Sequence, residues 1–404
     1  MVGFGASMWK SKTILMYPDV SCLAIASSLF YHLEVKILIA PNAFKGTLTA
    51  ACAARAAARG ARKAAPGAGL RLLPIADGGD GLLDALRPAL GGELVRSRVE
   101  GPLGARVTAR WLLAGRTAVI EMAEASGLKL LPACRLRPLD ASTRGVGQLI
   151  AAAAARGARE IIVGLGGSAS NDGGAGCAAA FGFLLNDKNG KPVAGGARGL
   201  AGICEILPGG GAARLRNLRV EGLADVRNTL LGRLGSARVF GPQKGAGPAE
   251  VIFMEAALRR YAAALKKFSG LDVSRLKGGA AAGGLGAGLA AFFGAELADG
   301  SAFVLERLGF ARALARADLL ITGEGCFDRQ TFYGKAPGAA IAAARRLGKP
   351  VVVVCGRSLI NDRRALARLG VAGVIEAGPS ANPAGALSLA VERGLPPILS
   401  RLGI

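Results

Sequence analysis

The chain has 404 residues, 51% of them hydrophobic but only 5% aromatic, with a formal net charge of +23. That length holds a large core and more than one domain. Its cysteines are scattered without a C-x-x-C pair and its single histidine is His32, which excludes a disulfide framework, a cysteine- or histidine-ligated metal and Ser-His-Asp catalysis, and fits a reducing, cytoplasmic setting. The arginines are spread among alanines, as in AARAAARGARKAA, so the charge reads as solvated helix faces rather than a nucleic-acid surface.

Residues 1–34 differ in character from the rest of the chain. The apolar run VSCLAIASSLFYHL lies behind Lys10 and Lys12, but Pro18 and Asp19 interrupt the approach and no small-residue cleavage site comes after it. This predicts an extension outside the fold rather than a signal peptide. Val35–Ala40 is then a buried strand, followed by the loop PNAFKGT and an alanine-rich helix to about Ala65. Leu70–Ile75 is a strand that ends in ADGGDG and leads into a helix over Leu82–Leu90. Ala118–Ala123 reads as a strand, Gly147–Arg156 as a helix, and Glu160–Leu165 as a strand that runs into GLGGSASNDGG. Gly278–Ala295 is uncharged but so broken by glycine that it reads as a loop entering a helix, not a membrane span. Late in the chain ADLLITGEG is a strand, Ala336–Leu347 a helix and PVVVVCG another strand. Uninterrupted Val/Ile/Leu strands linked by helices predict an α/β fold around a mainly parallel sheet covered on both faces. Ligands of such sheets gather at the carboxyl ends of the strands.

The strand exits share a design of glycine turn followed by carboxylate or lysine: Lys45 in PNAFKGT, Asp77 and Asp80 in ADGGDG, Asp172 in GLGGSASNDGG, and Glu324, Asp328 and Lys335 in TGEGCFDRQTFYGKAP. FGPQKGAG adds Lys244, and KGGAAAGGLGAG offers backbone alone. Glycine there lets main-chain N–H groups approach an anion. Carboxylates can hold Mg²⁺ or accept a hydroxyl proton, and lysines can neutralise phosphate oxygens. Taken singly, Asp77 or Asp172 reads equally well as a helix N-cap, Ser168 and Ser170 as turn closers, and Glu324 as a solvated loop residue. Their joint occurrence points to phosphoryl transfer. A Walker loop is absent, because Gly334-Lys335 is followed by Ala336, and GLGGSA lacks the dinucleotide fingerprint.

The segments APNAFKGT, ADGGDG, GLGGSASNDGGAG, FGPQKGA, AAGGLGAGL and TGEGCFDRQTFYGKAP, in this order, resemble the bacterial glycerate kinases of the first type from Val35 to the C-terminus. The resemblance implies phosphorylation of D-glycerate to 2-phosphoglycerate with ATP and Mg²⁺, with small molecules as partners rather than nucleic acid or membrane. It implies two domains: a Rossmann-like α/β domain built from both chain ends, residues 35–85 and 290–404, and an inserted α/β domain, residues 86–289, with the active site in the cleft between them. On this reading Asp172 or Asp77 takes the hydroxyl proton, Glu324 and Asp328 hold the metal, and Lys45, Lys244 and Lys335 stabilise phosphoryl and substrate charge. Gly166, Gly167, Ser168, Ser170, Asn171, Gly283 and Gly284, with Lys335, are expected to bind the nucleotide. The sequence leaves a homodimer open. Arg144, Arg227, Arg329 and Tyr333 depart from the family pattern, which leaves room for a kinase of another small hydroxy acid or a nucleotide-binding relative without turnover.

Overall fold

The computed structural model of the protein describes residues 35–404 except 211, 212, 214 and 361, so the expected extension at 1–34 lies outside the described residues. Strand β1 (Lys36–Pro41) shows how the sequence sets the architecture. Ile37 and Ile39 enter one apolar cluster while Leu38 and Ala40 enter another. A strand that is apolar on both faces needs cover on both sides, and that cover is helical.

Two sheets result. The first has the order β13-β12-β11-β1-β2, all parallel, with β2 (Gly69–Leu72), β11 (Leu319–Phe327), β12 (Val351–Ser358) and β13 (Val371–Glu376). It therefore draws its strands from both ends of the described chain. The second has the order β10-β9-β6-β5-β4-β3, with β3 (Glu93–Glu100), β4 (Arg106–Ala114), β5 (Thr117–Glu121), β6 (Glu160–Gly164), β9 (Arg219–Ala224) and β10 (Glu296–Asp299). Its β5, β6, β9 and β10 run parallel, and β3 and β4 form an antiparallel edge. A small ribbon pairs β7 (Leu184–Asn186) with β8 (Glu205–Leu207). The antiparallel edge is not among the strands expected from sequence, since ELVRSRVE alternates apolar with charged residues and makes no buried run. Strand β10 lies beyond Leu289, where the chain-end domain was expected to resume, yet it pairs with β9. Its sequence, ELAD, carries no apolar signal.

One apolar cluster joins the sheets. It holds Leu38, Leu320 and Val351 from the first, Val119, Ile162 and Leu223 from the second, and Leu82, Leu86, Val304, Phe310 and Leu314 from the helices between them. The outer face of the first sheet packs on helices Ala50–Ala64 and Pro383–Gly394, and that of the second on Arg144–Ala155, Ala175–Phe181 and Leu285–Phe293. The strands end toward a common region. Gly79, after β2, meets Gly166, after β6, so closely that a Cβ on Gly166 would lie 2.7 Å from Gly79 Cα. Only glycine permits this approach. Ser301, just after β10, donates its hydroxyl to the Gly334 carbonyl at 2.6 Å, beyond β11.

Candidate active site

Asp77 reaches the strand ends because the chain keeps pairing past β2: Leu73 N–H donates to Ile39 O at 2.8 Å and Ile75 N–H to Pro41 O at 3.0 Å. There the buried Asn42, fixed to β11 through its N–H on Gly323 O (2.8 Å), donates Nδ2 to Asp77 Oδ1 at 2.9 Å. The first amide of helix Ala336–Arg346, Ala336 N–H, donates to the same oxygen at 2.6 Å. Asp77 Oδ2 accepts no hydrogen bond among the described residues. Asp225 stands nearby, past β9. Burial raises its carboxyl above the usual range and the Asp77 charge raises it further, while Lys45 acts against both.

The loop after β11 is drawn together by Glu324, which is only 6% exposed. Thr331 Oγ1 donates to its Oε1 at 2.7 Å and Lys335 Nζ to its Oε2 at 2.8 Å. Burial pulls the Lys335 ammonium down, but Glu324, with Asp328 and Asp77 beyond, outweighs that and leaves its pKa raised. Asp328 caps the following turn, its Oδ1 accepting from Gln330 N–H at 2.7 Å. Both Glu324 oxygens accept hydrogen bonds within the loop, and Asp328 serves as its cap.

The loop GLGGSASNDGG is locked from inside, with its polar side chains turned into the fold. Asp172 is fully buried and does not face the gap. It accepts from Thr143 N–H at 2.8 Å, Thr143 Oγ1 at 2.9 Å, Ser142 Oγ at 3.2 Å, and the N–H groups of Gly174 and Gly176 at 3.2 Å each. A carboxylate so committed organises the loop and has no free oxygen for a substrate proton. Lys244 is 2% exposed and donates inward, to Ser170 O at 2.6 Å, Ser168 Oγ at 2.8 Å and Asn171 Oδ1 at 3.4 Å. Ser170 and Asn171 are wholly buried, and Ser168 nearly so. A Cβ on Gly283 would overlap Ser170 O, and Gly283 O accepts from Gly173 N–H at 3.0 Å. Gly284 packs on Gly173 in the same way. Lys244, Ser168, Ser170, Asn171, Gly283 and Gly284 therefore support the loop from beneath. Gly166 and Gly167 lie nearer its surface, against Gly79 and Asp80. Asn42 was not singled out in sequence, and Asp225 stood there only as an acid near Arg227. The asparagine directly behind a buried strand was the available signal for the first.

The model of the glycerate kinase family matches residues 37–393. The chain belongs to the glycerate kinase family. The glycerate kinase of Halalkalibacterium halodurans is 44% identical over 79% of this chain and 85% of its own length. The glycerate 2-kinase of Escherichia coli is 42% identical over 81% and 86%. A crystal structure of a candidate glycerate kinase 2 from Salmonella typhimurium LT2 superposes with a TM-score of 0.80 at 39% identity, covering 92% of this chain and all of that one. The mixed α/β architecture with mainly parallel sheets agrees with this likeness, and the protein is an enzyme of this kinase family. No helix among the described residues is long and apolar enough to cross a membrane.

Within this family member the unusual arginines sit outside the hydrogen-bonded centre. Arg144 pairs with Glu100 at 3.1 Å. Arg227 and Arg329 are exposed, and Arg227 makes no ion pair with Asp225 or any other acid among the described residues. Tyr333 is 77% exposed.

Two buried groups make stability depend on pH. Burial pulls Lys244 down to about 7 from 10.5, against the pull of Asp172. Burial pushes Glu121 up to about 7 from 4.5, although the Leu83 N–H at 2.9 Å holds its Oε1. Between pH 4.5 and 7 the folded state holds the extra Glu121 proton, so stability falls as pH rises through that window. Between pH 7 and 10.5 the unfolded state holds the extra Lys244 proton, so stability rises with pH. Urea unfolding across pH 5 to 9.5 should show a minimum near pH 7, with limiting slopes of about 1.4 kcal/mol per pH unit per proton. In Lys244→Met the alkaline limb should flatten, whatever the overall stability of that variant. An alkaline slope left intact in Lys244→Met would remove the lysine from the account.

Proposed function

We propose that the protein transfers the γ-phosphoryl group of ATP to the 2-hydroxyl of D-glycerate, giving 2-phosphoglycerate and ADP. The observation that carries this reading is Asp77, a carboxylate with one oxygen pinned by Asn42 and the Ala336 amide and the other unbonded, set among Asp225, Lys45 and Lys335 where the strands of both sheets end. The relatives named glycerate kinase and glycerate 2-kinase support the substrate. The two sheets support a division into two lobes, the first from both chain ends and the second running through β10.

The pinned Oδ1 fixes the carboxylate plane, and Oδ2 is the atom that takes the hydroxyl proton as the glycerate oxygen bonds to phosphorus. The bond from phosphorus to the bridging oxygen breaks, and ADP leaves with that electron pair. Such proton transfer contributes about 10²–10⁴-fold. Lys335 and Lys45 offset charge on the transferring group, and the Glu324 carboxylate and Thr331 keep Lys335 in place. Asp225 fits as the residue to hold Mg²⁺, since the ion commonly takes one or two protein carboxylates and completes its shell with phosphate and water. Burial and then the Asp77 charge raise Asp225, and a divalent cation would offset both. Bound there, Mg²⁺ supplies neutralisation of phosphate oxygens. The Asp172–Lys244 scaffold holds the Gly166–Gly167 wall against the Asp77 loop.

An assay of ADP release with D-glycerate and Mg-ATP tests the reading. ADP formation should depend on D-glycerate, and the product should feed enolase directly without a mutase. L-glycerate, tartronate or lactate serving better would overturn the substrate, and a product that reaches enolase only through a mutase would move the reaction to the 3-hydroxyl. Nucleotide binding without ADP release would leave a protein that binds but does not turn over.

A further inference from the structure

With the glycine-rich scaffold buried, the nucleotide needs another seat, and we propose one that rests on the kinase reading above. The geometry points to the cavity of about 580 Å³ beyond the carboxyl ends of β1, β11, β12 and β13 as the nucleoside triphosphate site. The base lies against the apolar wall of Phe44, Leu48 and Leu387, and the phosphates pass Arg357 and Lys45 toward Lys335.

From β1 the chain goes to β2 on one side of the sheet, and β11, β12 and β13 lie on the other, so strand order reverses between β1 and β11. Open α/β sheets bind ligands at such a switch point. The cavity is built from the loop that leaves β1, 43–48, and the last residues of β11, 324–326, with walls from the ends of β12 and β13. Its size suits a nucleotide and is far more than a three-carbon acid fills. Its charge is lopsided in the required sense. Glu324, the acid in the lining, is neutralised by Lys335 at 2.8 Å. Lys45 and Arg357 are exposed and enter no ion pair among the described residues. Two unpaired cations beside an apolar wall suit a polyphosphate attached to a flat base. The direction is set by Lys335, which lines the cavity and precedes the Ala336 amide that holds Asp77. The terminal phosphate thus points at the proposed base. The cavity of about 800 Å³ beside Asp225 is the rival, but Asp225 and Asp299 there offset Arg227 and Lys277. Another of about 800 Å³, lined by Arg363, Arg393 and Arg401, shares none of the residues around Asp77.

The chain carries its own probe. Cys326 is exposed and lines this cavity, whereas Cys134 and Cys204 are exposed elsewhere. Saturating ADP should slow alkylation of Cys326 in the native enzyme by about tenfold or more, by mass action, and leave Cys134 and Cys204 unchanged in peptide mapping. Arg357→Ala should raise KM for ATP by about tenfold or more and leave KM for glycerate within about twofold. Equilibrium dialysis with labelled ADP separates the two ways of failing. ADP that binds without shielding Cys326 overturns the placement and leaves the kinase reading standing. ADP that does not bind at all overturns that reading, and this site with it. An Arg357→Ala effect confined to KM for glycerate would reassign the cavity to the acid substrate.

Discussion

Asp77→Asn is expected to lower kcat by about 10²–10⁴-fold while the melting temperature moves by no more than about 2–4 °C. The two effects separate because the side chain has two jobs on two atoms. Its Oδ1 accepts from Asn42 Nδ2 at 2.9 Å and Ala336 N–H at 2.6 Å, and an asparagine oxygen can keep both. Its Oδ2 accepts nothing among the described residues, and replacing that oxygen by an amide nitrogen removes the proton acceptor while disturbing little else. Steady-state turnover measured beside thermal unfolding is therefore decisive. Near-full turnover in a folded Asp77→Asn protein would remove Asp77 from the chemistry. A large loss accompanied by a collapse of stability would show that the carboxylate mattered for the fold. KM for glycerate should change little, because an oxygen needed only as the proton departs contributes more to the transition state than to binding.

The strands on both sides of the reaction were legible in sequence because they are buried on both faces and read as unbroken Val/Ile/Leu runs. ILIA, EIIVG and VVVV all lie in sheets where expected. The edge strands were not, since β3 alternates with charge and β10 is a four-residue ELAD with no pattern of its own. The site divides along the same line. Glycine followed by an acid or a lysine marks a loop at a strand exit, and the loops do converge. What the residue types could not say is which way each side chain turns within its loop. Asp77 and Asp172 both come after a strand and precede a helix, and in sequence they are interchangeable. Packing separates them. Thr143, brought in by a distant helix start, closes over Asp172, while the Asp77 carboxylate accepts from Asn42 and one helix amide. The same holds for the lysines: Lys244 is enclosed by the loop it supports, and Lys45 remains in solvent. Such differences come from contacts 29 to 259 residues apart in the chain, which no local spacing encodes.

Asp172→Ala, by the same logic, should act on the fold first. Removing the carboxylate leaves the N–H groups of Thr143, Gly174 and Gly176 and the Thr143 hydroxyl without their acceptor in a site closed to water. Each unpaired buried donor costs about 1–3 kcal/mol, and partial relaxation brings the total to roughly 3–5 kcal/mol, a large share of the about 5–15 kcal/mol that holds a domain folded. Asp172→Asn should fare little better, because its amide nitrogen would face an N–H group or hydroxyl that also needs to donate. Thr143→Val is the milder companion. It removes the hydroxyl that donates to Asp172 at 2.9 Å and accepts from Cys177 N–H at 3.0 Å, for about 1–2 kcal/mol. Denaturant midpoints should therefore rank wild type, Thr143→Val and Asp172→Ala in falling order. Turnover per folded molecule should fall far less than in Asp77→Asn. An Asp172→Asn protein as stable as wild type but slowed a hundredfold or more would reverse the assignment, because a buried loop anchor can be lost without cost only if it was never an anchor.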